Sequence, residues 1–230
     1  MITNIIFDFF GTLVDYSAER NLAVVSTSHD YLRELGFSID KDRYIEEFDR
    51  CFIELEQKAI NSKTEFHMEE LGKYFFKSCF DYDVAEEQNK KFVEEYIQNW
   101  NIQTIFLENI KSFIKACAAK YRLSILSNTH YPPLIHENLK AMKIAQNFFR
   151  VYTSVEIGIR KPNREIFLQT LDDLKIKPAQ AVFIGDNYHD DYLGALSVEL
   201  KCFLIDKDKK YNGLVQNRLD HLFDFLTVSL

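Results

Sequence analysis

The sequence predicts an α/β protein: a Rossmann-like parallel sheet flanked by helices, joined to a separate four-helix block. Three observations carry this reading. Beyond about residue 105 the chain alternates short apolar runs with amphipathic segments. Such alternation implies right-handed β-α-β crossovers and a sheet covered on both faces. Between about 17 and 100 the chain is rich in Glu, Lys, Leu and aromatics, with apolar spacing of three and four. Finally, several apolar runs end in a polar residue, at the strand edge where open α/β sheets bind their ligands.

The first strand is expected at 4–8, where Ile5, Ile6 and Phe7 lead into Asp8, and a Gly11-Thr12 step follows. Four amphipathic helices are expected near 17–35, 41–60, 66–80 and 84–99. Gly36 suits the end of the first, and Asp40 suits the N-cap of the second. Phe52, Tyr74, Phe75, Phe76 and Phe92 recur at helical spacing and are expected in the core of this bundle. Then come a strand at 122–127 (RLSILS), a helix at 132–142, a strand at 149–153 and a helix at 164–174. A strand at 181–186 (AVFIGD), a helix at 188–197, a strand at 201–206 (KCFLID) and a last helix at 214–227 complete the series. No internal repeat or low-complexity segment interrupts it.

Composition narrows the function classes. The 47% apolar and 27% charged residues are ordinary for a globular protein, and no apolar run reaches the length of a membrane span. With 35 acidic residues against 28 basic, the chain lacks the broad basic surface of a nucleic-acid binder. The start MITNIIFDFF reads as a strand rather than a leader. The four cysteines are scattered without zinc spacing, as expected of free thiols in a reducing cytoplasm.

Four segments carry chemistry. In Asp8-Phe9-Phe10-Gly11-Thr12, a carboxylate leaving an apolar strand can act as a nucleophile if a cation screens its charge, and Thr12 can brace it. Ser127 and Asn128 offer hydroxyl and N–H donors suited to an oxyanion. Lys161, beside Pro162, supplies a fixed positive charge. In Gly185-Asp186-Asn187-Tyr188-His189-Asp190-Asp191, carboxylates can complete an oxygen shell for Mg²⁺, while Asp190 fits the simpler role of an acid at a helix N-terminus. Each segment alone has a bland reading as a polar strand end; together they predict one convergent site.

In order and spacing these segments resemble the haloacid dehalogenase-like superfamily: an Asp in a DxxGT turn, then Ser, then Lys, then an acidic GD…D segment. The resemblance covers about residues 1–14 and 105–230 as an α/β core. It reads 15–104 as a helical cap inserted after the first motif. It implies that Asp8 is the nucleophile and a Mg²⁺ ligand, with the Phe10 backbone carbonyl and Asp186 as further ligands. It implies that Ser127 and Asn128 bind phosphoryl oxygens, that Lys161 neutralises charge, that Asp191 orients Lys161 or a metal-bound water, and that Thr12 supports the nucleophile.

One position departs from the pattern. Phosphatases of this family usually carry a second Asp, the general acid/base, two residues after the nucleophile; here that residue is Phe10. The resemblance implies a Mg²⁺-dependent hydrolase of a small phosphate ester working through an aspartyl-phosphate. Phe10 leaves two alternatives open: a metal-independent 2-haloacid dehalogenase, which carries an aromatic residue there, or a catalytically weak binding module. The acidic residue at 186 favours the metal site. Tyr16, His130 and His189 are near the motifs in sequence but read as ordinary loop or surface residues, and Arg20, Arg33, Arg43 and Arg50 could reach a substrate carboxylate. The expected partner is a small molecule, with no nucleic acid and no membrane, for a cytoplasmic monomer or homodimer.

Overall fold

The computed structural model describes residues 1–16 and 26–228. A six-stranded sheet has the order β5-β4-β1-β6-β7-β8. Its strands are β1 (Asn4–Phe7), β4 (Arg122–Ser127), β5 (Phe148–Thr153), β6 (Ala181–Gly185), β7 (Lys201–Ile205) and β8 (Arg218–Leu219). All five strand pairings are parallel. β1 lies centrally, pairing Ile5 with Leu123 on one side and with Val182 on the other.

The continuous apolar runs make sense in this setting, because a parallel sheet buried on both faces needs no polar alternation. Ile5, Phe7, Ile125, Val182 and Ile184 pack on one side against α5 (Ile110–Ala118) and α6 (Pro132–Ala141). Ile6, Leu126, Phe183 and Leu204 pack on the other against Ile166, Phe167 and Leu171 of α8 (Arg164–Asp173). Between β5 and α8 lies one helical turn, α7 (Ser154–Ile157).

The chain divides into two compact units, residues 1–16 with 105–230 and residues 17–104. The second unit contains α1 (Ser26–Glu34), α2 (Lys41–Ser62), α3 (Met68–Phe80) and α4 (Glu86–Asn101). The beginning of the helix expected at 17–35, with Arg20, lies outside the described residues. Asp40 caps α2 by accepting from the Arg43 N–H at 2.9 Å. Phe75, Phe76 and Phe92 are fully buried, with Phe75 stacked on Phe92. Tyr74 is not a core residue: it is half-buried and donates its hydroxyl to Glu54, because a phenol needs a polar partner. Phe52 is also only partly buried, edge-on to Phe66.

Several expectations are corrected. Periodicity assigns no element to 105–121, where the structure has β3 (Thr104–Phe106) and α5; β3 pairs with β2 (Val14–Tyr16) in a two-stranded ribbon. The helix expected at 214–227 does not form. Leu204 and Asp206 donate their N–H groups to Asn217 and Leu219 carbonyls, so this segment becomes the edge strand β8. A 3₁₀ segment, Leu222–Thr227, follows and buries Leu222 and Phe225. The sheet's unpaired edge outweighed local helical spacing. The helix expected at 188–197 opens as a π turn, Tyr188–Leu193, running into α9 (Gly194–Leu196).

Candidate active site

The site forms where β1, β4 and β6 end side by side. β1 stops at Phe7, one residue before Asp8, and β6 stops at Gly185, one before Asp186. Both carboxylates therefore stand just beyond the strands, on adjacent strand ends. Ser127 is the last residue of β4, on the other side of β1. Oxygen atoms of Asp8, Asp186 and Asp191 all lie within 4.8 Å of one another.

Lys161 arrives from the loop between α7 and α8 and is 2% exposed. Its Nζ donates to Asp8 Oδ1 at 2.8 Å and to Asp191 Oδ1 at 2.6 Å, and it sits over the Phe183 ring. Burial opposes the charge on Lys161, but Asp191 and Asp8 more than offset it and hold the pKa above the usual lysine range. Burial raises Asp191, to about 6, against the pull of Lys161. Loss of hydration, then the charges of Asp8 and Asp191, push Asp186 up to about 7. Three carboxylates thus face one ammonium, which leaves a surplus of negative charge that a divalent cation with oxygen ligands would relieve. The donor set therefore fits Mg²⁺.

Two glycines make this density possible. Gly11 has φ +83° and a Cβ there would overlap the Asp186 carboxylate; a Cβ at Gly185 would overlap Asp191. Thr12, almost fully buried, donates to Asp186 Oδ1 at 3.1 Å. It thus helps fix the site, as the sequence suggests, through Asp186, whereas the resemblance implies support for Asp8. Asp191 accepts the Asn187 N–H on Oδ2 at 3.0 Å, so both its oxygens are engaged and it holds Lys161 in place. Asp190 stays out of the cluster, partly exposed beside His189.

Ser127 is 1% exposed, and its Oγ has no hydrogen-bond partner among the described residues. A buried hydroxyl at a strand end with bonding capacity to spare suits an incoming oxyanion. The side chain of Asn128, a residue whose backbone N–H the sequence offers to an oxyanion, has a separate role. Its carboxamide accepts the Lys161 N–H at 2.9 Å and donates to the Lys161 carbonyl at 3.0 Å. Both ends of that side chain are committed to fixing the backbone that carries Lys161.

Phe10 is partly buried, with its ring edge-on to Phe9 and to Tyr16. Tyr16, on β2, belongs to the site's surroundings. Burial first, then the charges of Asp186, Asp8 and Asp15, raise its phenol above the usual tyrosine range. The sequence places Tyr16 near the first motif but reads it as an ordinary residue; in the fold it is about half exposed (49%) and lies within the charge of Asp186 and Asp8. His189 is exposed.

The chain matches the haloacid dehalogenase-like hydrolase family over residues 5–205. It is 27% identical to the haloacid dehalogenase-like hydrolase domain-containing protein 3 of Mus musculus over 147 residues, 63% of this chain and 55% of that one. It thus spans about half the length of that relative. It is 26% identical to the glyceraldehyde 3-phosphate phosphatase of Pyrococcus furiosus, over 86% of this chain and 78% of that one. The fold is shared with a 2-haloacid dehalogenase from Pseudomonas syringae (TM-score 0.73, 17% identity, 99% and 97% of the two chains covered). It is shared too with a HAD phosphatase from Thermococcus onnurineus (TM-score 0.65, 23% identity, 98% and 97% covered). With the family matched across most of its length, on a sheet that gathers Asp8, Lys161, Asp186 and Asp191, this chain belongs to the haloacid dehalogenase-like hydrolases.

Proposed function

We propose that the protein is a Mg²⁺-dependent phosphohydrolase acting on a small phosphate ester, with Asp8 as nucleophile. The observation that carries this reading is Asp186, a carboxylate braced by Thr12 and set within reach of Asp8 and Asp191. Displacement of halide from carbon has no use for a third acid there; a phosphoryl group needs the cation such a cluster holds. Phosphatase names among relatives that are covered over more than three quarters of their length point the same way.

Lys161 engages Asp8 Oδ1 and leaves Oδ2 to attack phosphorus in line with the leaving oxygen. The Asp8–phosphorus bond forms as the ester P–O bond breaks. Ser127 Oγ donates to an equatorial phosphoryl oxygen, and Lys161 balances charge shared between Asp8 and the phosphate. Mg²⁺, held by Asp8, Asp186 and the Phe10 carbonyl, would supply the positive charge that lets two anions meet. Water then attacks phosphorus of the aspartyl-phosphate and releases Asp8. Phe10 cannot give the leaving group a proton, so this site favours esters whose leaving group departs as a stable anion. We assign the helical unit the family's cap role, selection of the substrate.

Turnover of p-nitrophenyl phosphate, with Mg²⁺ and with EDTA, tests the proposal beside halide release from 2-chloropropionate. We expect phosphate release that needs Mg²⁺ and is abolished in Asp8→Asn and Asp186→Asn. Metal-independent halide release would replace the reading with dehalogenation; metal binding without either turnover would make the protein a binding module.

A further inference from the structure

Lys161 carries the positive charge of the site, yet no regular element lies beneath it. It belongs to neither α7 nor α8 but to the loop between them. Among the described residues, its peptide N–H and carbonyl bond to one group, the Asn128 carboxamide, at 2.9 Å and 3.0 Å. That carboxamide can face Lys161 in one orientation only, with its oxygen toward the N–H and its nitrogen toward the carbonyl. It does for this loop what a neighbouring strand would do. Asn128 directly follows Ser127, the last residue of β4, and β4 is paired in parallel with the central β1. On the loop's other side Pro162 packs against Gly194, where a Cβ would stand 3.2 Å from the Pro162 Cα. At the far end of the side chain, Nζ lies 2.8 Å from Asp8 and 2.6 Å from Asp191.

From this arrangement we infer that Asn128 is a positioning residue for Lys161: it transfers the register of β4 to the ammonium that meets the phosphoryl group. The effect on rate rests on the phosphohydrolase reading; the geometry does not. Lysine has a flexible four-carbon stem, so a backbone free to shift lets Nζ leave its place between Asp8 and Asp191. A misplacement of about 1 Å costs on the order of 10²-fold in rate. Lys161 balances charge shared between Asp8 and the phosphate as the P–O bond breaks, so the loss falls on kcat and not on KM. The Asn128 side chain has both ends occupied by Lys161 and acts through it.

A double-mutant cycle tests this. Asn128→Ala removes both bonds, and Asn128→Leu, close in size, also keeps water from bridging the gap. Each is made in the wild type and in Lys161→Met, and all are unfolded by heat in EDTA. We expect the Asn128 substitutions to lower the melting temperature more in the wild type than in Lys161→Met, where the same two backbone bonds are lost but no ammonium is left to displace. Equal drops in both backgrounds would make Asn128 a plain tether of the loop and overturn the inference. With p-nitrophenyl phosphate and Mg²⁺, kcat of Asn128→Ala should fall about 10²-fold while KM barely moves. A raised KM at unchanged kcat would put the carboxamide on the substrate and overturn it too. A wild type that releases no phosphate would remove the phosphohydrolase reading, and the thermal cycle would still decide whether Asn128 positions Lys161.

Discussion

Replacing Lys161 with Met tests how the site is held together. The substitution keeps length and volume but removes the ammonium that lies 2.8 Å from Asp8 and 2.6 Å from Asp191, in a place with almost no solvent. Two carboxylates are then left facing each other and Asp186, without a cation. Breaking a buried ion pair by removing one partner costs about 3–5 kcal/mol, because the remaining charge is neither hydrated nor paired. For a chain of this size each kcal/mol moves the melting point by about 2–4 °C, so a fall of roughly 6–20 °C is expected in EDTA. The penalty should shrink as pH falls, because protonating either acid removes the repulsion, and Lys161→Met with Asp191→Asn should recover part of it. Thermal unfolding by circular dichroism, in EDTA at neutral and mildly acidic pH, reads all three effects. A Lys161→Met protein that melts with the wild type at neutral pH would refute the reasoning.

Two further outcomes follow from the same geometry. Phe10→Asp should speed hydrolysis of alkyl phosphates toward the ~10²–10⁴-fold that acid–base catalysis supplies, with much less gain on p-nitrophenyl phosphate; equal gains on both would show that proton transfer to the leaving group is not what Phe10 lacks. Asp186 is pushed up to about 7 without metal, above its unfolded value of about 4, so its ionisation opposes folding. Its stability contribution is complete below the unfolded value and is lost as pH rises through about 4 to 7. Asp186→Asn should therefore gain on the wild type across that window in EDTA, and urea-denaturation curves that stay parallel from acid to neutral pH would disprove it.

Much of the fold could be read from local pattern. The runs at β1, β4, β6 and β7 are apolar enough to be buried on both faces, and the polar residues that close them mark the functional edge. Within the helical unit, the cap at Asp40 and the buried Phe75, Phe76 and Phe92 follow helical spacing. The C-terminal segment was illegible for a physical reason. Residues 214–227 carry apolar spacing compatible with a helix, but β7 needs a partner on its open side, and only the folded sheet presents that demand.

By itself the sequence determined which groups are available for chemistry: Asp8, Ser127, Lys161 and Asp186 stand at strand ends or in a loop, and strand ends are set by local apolar runs. Tertiary structure alone decided how those groups pair. Thr12 turns to Asp186, the Asn128 side chain grips the Lys161 backbone, and Tyr16 comes under the charge of Asp186 and Asp8. Each of these depends on the direction of a side chain across segments distant in sequence, and such directions exist only once the sheet has set its register.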